Sequence, residues 1–206
     1  METPMSRRTN RFQMRLVMMI LLVGTSSSFS QIQNEPDKEA RIRSTLAGLL
    51  AGAGVEVGTT LPSADAQTHK QMRVRWQSSV ALSSPDANKL EQRPSPGVVS
   101  LVNSTSRNGI LPRERSLELS TNQILVVALD ENRGLRWWKL LLDPRVVRSE
   151  TVAPSGEIHG EDLYRPRVEF TLECPDDRAI RELRFYHPSW TGRDFRLESL
   201  GALPVR

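Results

Sequence analysis

The chain has 206 residues, with 28 Lys and Arg against 24 Asp and Glu, for a formal net charge of +4. The excess sits at the start: the first thirty residues hold four arginines and one glutamate, a net +3, which leaves +1 for residues 31–206. That nearly neutral remainder lacks the concentrated basic surface on which nucleic-acid binding rests, and it has no polybasic patch for a membrane surface.

Residues 1–30 read as a signal peptide. Arg7, Arg8, Arg11 and Arg15 form a basic start, residues 16–23 (LVMMILLV) are an unbroken apolar run, and Ser28 and Ser30 give the small-x-small pattern of a cleavage site before Gln31. Eight apolar residues fall far short of the roughly 20 that span a bilayer. The alternative is an uncleaved anchor lying in the membrane interface. The Arg7-Arg8 pair is followed by Thr9-Asn10-Arg11, too polar for a twin-arginine signal. The chain is therefore expected to be exported, to the periplasm or the extracellular space, with no membrane insertion after cleavage. Use of 24 arginines against four lysines points to a GC-rich bacterial genome. Cys174 is the only cysteine. No internal disulfide can form, so the exported chain must fold on packing alone, with this thiol buried.

Residues 31–82 carry one helix and one strand. The helix is expected from Asp37 to about Ala51, with Pro36 and Asp37 at its start. Ile42, Leu46, Leu49, Leu50 and Ala53 form a single apolar stripe, while Gly52 and Gly54 end it. That stripe either docks on the protein's own core or takes a partner. Residues 58–71 read as loop. In Gln71-Met72-Arg73-Val74-Arg75-Trp76 apolar and polar residues alternate, so a strand is expected, extending through Val80 and Leu82, with Arg73 and Arg75 on its solvated face. Residues 83–115 have Pro85, Pro94, Pro96 and Pro112 among many Ser, Asn and charged residues. They read as a flexible linker, with a short strand admitted at Val98-Val99-Ser100-Leu101-Val102.

From residue 116 onward apolar runs recur with turns between them. Residues 123–130 (QILVVALD) read as a strand apolar on both faces, Asp130 to Gly134 as a turn in which the glycine takes positive φ, and residues 135–142 as the returning strand. Val168, Phe170, Leu172 and Cys174 alternate with polar neighbours, which puts Cys174 on the core face. Residues 180–187 and 195–203 give two more strands, the last with its apolar phase shifted by a bulge near Ser199. The fold class is therefore mainly β: residues 116–206 form a small antiparallel β-sandwich, immunoglobulin-like because that is the commonest solution of this kind.

Three features are candidate sites. The pair Trp137-Trp138 lies on a strand, so its rings point to opposite faces. One fills the core and the other lies on the outer face, under the N-terminal segment or open to a ligand; Leu140 and Leu142 beside Trp138 read as a buried patch. The stretch Tyr186-His187-Pro188-Ser189-Trp190-Thr191-Gly192-Arg193-Asp194 reads as a loop, and loops on rigid sandwiches carry recognition. Its alternative is a loop that folds Trp190 back onto the core. Glu157-Ile158-His159-Gly160-Glu161-Asp162 brings histidine and carboxylates together but lacks metal-ligand spacing, so it reads as a solvated loop. Neither a nucleophile elbow, a His-Glu-x-x-His nor a Gly-rich phosphate loop is present. The expected function is a non-catalytic protein-interaction or scaffolding module without cofactor. Its binding residues would be Trp138, Tyr186, His187, Trp190 and Arg193. The alternatives are a carbohydrate-binding module using Trp138 or Trp190, and a small secreted hydrolase.

Overall fold

The structure is a computed structural model, and it describes residues 45–58, 67–80, 89–111 and 118–205. The expected signal peptide and the start of the helix lie outside the described residues. Among the described residues nine strands follow one another: β1 (Thr68–Ser78), β2 (Gly97–Asn108), β3 (Gln123–Leu129), β4 (Leu135–Leu142), β5 (Val146–Val152), β6 (Ile158–Tyr164), β7 (Arg167–Pro175), β8 (Glu182–Trp190) and β9 (Phe195–Pro204). All strand pairs are antiparallel. They form a three-stranded sheet in the order β2-β1-β7, a four-stranded sheet in the order β4-β3-β8-β9, and a separate β5-β6 hairpin.

One face of each larger sheet contributes to a common core. Met72, Val74 and Trp76 of β1, Val99 of β2, and Val168, Leu172 and Cys174 of β7 meet Ile124, Val126 and Ala128 of β3, Trp137 of β4, Leu183 and Phe185 of β8, and Leu200 and Leu203 of β9. The indole N–H of Trp76 donates to the Leu200 carbonyl at 3.1 Å, tying the two sheets together. The middle strand β1 therefore belongs to the same core as the C-terminal strands. Residues 97–108, inside the stretch expected to be a flexible linker, instead pair with β1 as a strand of twelve residues. Polar Asn, Ser and Thr hid it: the sheet is fixed by backbone pairing, and most of β2 buries no side chain. β1 ends at Ser78, short of the expected Val80, which is 56 % exposed; Leu82 lies outside the described residues.

The outer face of the four-stranded sheet carries a second core. Leu125, Val127 and Leu129 of β3 turn to it while their neighbours turn to the first, which is why the β3 run is apolar throughout. A helix over 45–52 covers this face with Leu46 and Leu50, fully buried. The helix closes with Gly54 N–H to Ala51 O and Val55 N–H to Leu50 O, both 3.0 Å, and Val55 packs beside Leu50. The apolar stripe thus docks on the chain's own core. From there the backbone zips onto β4, Leu135 N–H donating to Glu56 O at 2.9 Å.

Three bulges shift the register among the described residues: one in β2 at Val102, and two in the four-stranded sheet that set which residues share a face. Between Ala128 and Leu129 the register with β4 shifts, so that Leu129 faces Leu135 and Ala128 faces Trp137. Arg136 is the extra residue, and it pairs with Asp177 at 3.0 Å. Leu135 is thereby moved to the outer core rather than sharing a face with Trp137. Leu142, expected in the buried patch beside Trp138, is 74 % exposed at the end of β4. The second bulge lies in β9 at Leu200, next to the expected Ser199, between the pairs Phe185–Gly201 and Tyr186–Ser199. A Cβ on Gly201 would lie 2.6 Å from the Gly97 carbonyl, so a glycine is required where β2 begins against β9.

In the β3–β4 turn the residue with positive φ is Arg133 (65°), not Gly134. Asp130 Oδ1 accepts the N–H groups of Asn132 and Gly134 at 2.9 and 2.8 Å. A Cβ on Gly134 would lie 2.8 Å from Asp130 Oδ2, so the glycine gives room rather than conformational freedom.

Candidate functional site

A cluster of charged and aromatic side chains is buried where β4 passes into β5. Asp143-Pro144-Arg145 makes the turn. Asp143 Oδ1 accepts the Arg145 N–H and Nε, both at 2.9 Å, and Asp143 Oδ2 accepts Nη2 at 2.6 Å. Both side chains are sealed from solvent, at 2 % and 0 % exposure. The guanidinium carbon lies 4.6 Å from the Trp76 ring centroid and 5.6 Å from that of Tyr164, so two aromatic faces supply what water no longer does. Tyr164, at the end of β6, meets His187 of β8 edge-on, centroids 6.0 Å apart. Burial pushes the Tyr164 phenol above its ordinary value, and Asp143 and Asp162 push the same way. Backbone bonds lock the same corner: Arg165 N–H to Arg145 O at 2.8 Å, and Tyr164 N–H to Glu91 O at 2.7 Å.

His187 Nδ1 is 4.0 Å from Asp143 Oδ2, too far for a hydrogen bond, and neither this atom nor Arg145 Nη1 has a hydrogen-bond partner among the described residues. Beside them Trp76, Phe170, Phe185 and Leu200 bound a cavity with room for about one water molecule. A His–Asp pair can serve as base and orienting acid only if a substrate reaches the imidazole. Here both side chains are buried. The Arg145 guanidinium joins three elements of the fold: the β4–β5 turn through Asp143, β1 through Trp76 and the end of β6 through Tyr164.

Burial holds the His187 imidazole below its ordinary value, Arg145 adds to this, and Asp143 and Glu198 act against it. A histidine depressed in the folded state binds fewer protons there than when unfolded. Stability therefore rises with pH through the window between the folded value and about 6.5, and is lost as pH falls below it. His187→Asn is expected to flatten this part of the profile. Urea unfolding of both proteins between pH 5 and 8 checks it; parallel profiles would contradict the assignment.

The residues expected to bind a partner do not form one surface. The expected loop from Tyr186 is strand as far as Trp190, paired with Phe195–Ser199, and only residues 191–194 turn. Alternation along β8 sends Tyr186 into the outer core and His187 to the opposite side. Trp138 is half-buried against the outer core. Trp190 and Arg193 do reach solvent. Trp190 is 51 % exposed and packs against Phe195 at 5.1 Å with the rings 62° apart. The Arg193 side chain is almost fully open, its Nε 3.8 Å from Asp194. Thr191 N–H to Asp194 O, 2.9 Å, closes the turn beneath them.

Of the stretch from Glu157 to Asp162, residues 158–162 are not loop but most of β6, mainly exposed. His159 lies 3.7 Å from Glu157, and among the described residues no group of three or more His, Cys, Asp or Glu could hold a metal. Arg73 and Arg75 both pair with Glu169 of β7, at 2.8 and 2.6 Å, as the solvated face of the sheet. Cys174 lies buried 3.6 Å from the Met72 sulfur, its thiol pushed up to about 11 by burial, which suits packing rather than nucleophilic chemistry. Among the described residues no helix is long and apolar enough to cross a membrane. Reading from sequence missed Asp143, Arg145 and Tyr164. The available signal was Asp-Pro-Arg directly after a strand, an aspartate placed to accept the N–H two residues on. No protein-family model, curated protein or solved structure matches the chain.

Proposed function

We propose that the chain is an exported, non-catalytic protein-interaction module of the periplasm or cell surface, released by cleavage before Gln31. Its contact surface is the tip of the β8–β9 hairpin. The observation that carries this reading is Trp190, half exposed and braced by Phe195, with Arg193 open beside it. A rigid aromatic anchor with an arginine at its rim is the pairing enriched at protein interfaces. The 62° angle between the two rings favours this over a carbohydrate-binding module, which stacks a sugar on rings lying in one plane. Burial of His187 and Asp143 counts against a hydrolase built on that pair.

The architecture is read as a β-sandwich of immunoglobulin-like type. The order β4-β3-β8-β9 matches C′-C-F-G of a variable-type domain, and β7 beside β1 matches E beside B. The first two strands depart from that plan, since the edge strand β2, not the middle strand β1, leads into β3.

A photo-crosslinking residue in place of Trp190, in cells that export the protein, tests the function. The expected outcome is a discrete protein adduct that weakens when Arg193→Glu is added and is absent from the same probe at Thr151. Identical adducts from both positions, or a fluorescence response of the protein to a polysaccharide with no adduct at all, would overturn the reading.

A further inference from the structure

We infer that β2 is a homodimerisation edge: two copies of this chain pair antiparallel along β2 and join their three-stranded sheets into one of six strands. β2 is hydrogen-bonded to β1 on one side, and among the described residues no strand pairs with its other side. From Ser100 to Asn108 every residue is exposed. An outer edge of this length presents a row of backbone N–H and C=O groups whose natural partner is another extended backbone.

Sheet edges are ordinarily guarded by charge. The other edge strands of this protein are: β7 carries Arg167, Glu169 and Glu173, β4 carries Arg136 and Lys139, and β9 carries Arg196 and Glu198. The β5-β6 hairpin has Arg148, Glu150, Glu161 and Asp162. β2 has no charged residue and no proline from Gly97 to Ser106, and a single charge, Arg107, next to its end. It also exposes three apolar side chains along one strand: Val98 is 56 %, Leu101 43 % and Val102 41 % exposed. The register leaves Val102 without a partner on β1, since Arg73 faces Asn103 and Val74 faces Leu101.

The occupant is a second copy because the strand is complementary to itself. In an antiparallel pair centred near Val102, the two Val102 and two Leu101 side chains gather at the two-fold axis. Ser104 and Thr105 flank them, and the two Arg107 side chains lie at opposite ends of the ladder. The contact then has an apolar centre, a polar rim and no like charges opposed, as an isologous interface requires. One strand pair buries less than a standard interface, so the dimer is expected to dissociate in about the micromolar range.

Sedimentation velocity of the full-length protein, from about 1 to 300 µM, tests this. The expected result is a monomer–dimer equilibrium. Val102→Lys, which sets like charges opposite each other at the axis, should weaken it at least about tenfold. Ser104→Lys is the second variant should Val102→Lys disturb folding, which far-ultraviolet circular dichroism reports. Thr151→Lys, with the same change of charge on β5, should leave the equilibrium unchanged. A monomer at every concentration would overturn the proposal. So would a dimer that survives Val102→Lys or Ser104→Lys in folded protein, or one that Thr151→Lys dissolves equally.

Discussion

Arg145→Met is expected to lower the free energy of unfolding by about 3–5 kcal/mol, the range for removing one partner of a buried ion pair. The methionine keeps most of the stem volume, so the loss is chiefly electrostatic. It leaves Asp143, wholly enclosed, without the guanidinium, with the backbone N–H of residue 145 as its remaining hydrogen-bond donor among the described residues and the His187 ring 4.0 Å away. Trp76 and Tyr164 lose the guanidinium between them, and with it the contact joining β1 to the end of β6. Replacing both members is expected to behave differently. Asp143→Asn with Arg145→Met keeps an acceptor for the turn while removing both charges, and should recover a large part of the loss, because an absent pair costs less than a broken one. Urea unfolding of the two single variants and the double variant gives the coupling directly. A single-variant loss below about 1 kcal/mol, the level of an exposed pair, would contradict the burial assigned to this cluster.

The adjacent tryptophans give the second large effect, through its asymmetry. Trp137 is 4 % exposed in the core between the sheets, against Ala128 of β3 in register. Trp137→Ala should cost about 3–5 kcal/mol, combining lost burial with a cavity that rigid strands cannot close. Trp138→Ala removes a half-buried ring on the other face, where solvent can enter the space, and should cost about 1 kcal/mol. Thermal and urea unfolding of the two variants measures both. Equal losses would mean that the strand does not alternate as described.

Much of the fold was legible in the sequence where side-chain burial and backbone pairing agree. Val168, Leu172 and Cys174 alternate because one face of β7 is core and the other is solvent. The bulge at Leu200 broke the apolar phase of β9 and could be placed within one residue. β2 was illegible for the opposite reason. Its place is set by hydrogen bonds to β1, and Asn103-Ser104-Thr105-Ser106 has nothing to bury. The same holds for the β5-β6 hairpin, whose strands lie mostly in solvent.

Of the candidate site, less could be read. Tyr186 and His187 close the expected strand over 180–187 and open the expected loop, yet the strand runs on through Pro188, which pairs with Leu197. Alternation along β8 then buried both. Asp143, Arg145 and Tyr164 come together only through tertiary contact between a turn, a strand end and the β1 tryptophan, and no local period reports that.

The claim that β1 and the C-terminal strands form one cooperative core is tested most directly by native-state hydrogen exchange. β1 lies between β2 and β7, so its amides are bonded on both sides, and Met72, Val74 and Trp76 anchor it in the core shared with β3 and β8. Amides of residues 68–78 are expected to exchange through the same global opening as those of 123–129, with protection within about tenfold. Exchange of 68–78 at the rate of an unfolded chain, while 123–129 and 182–190 stay protected, would contradict it.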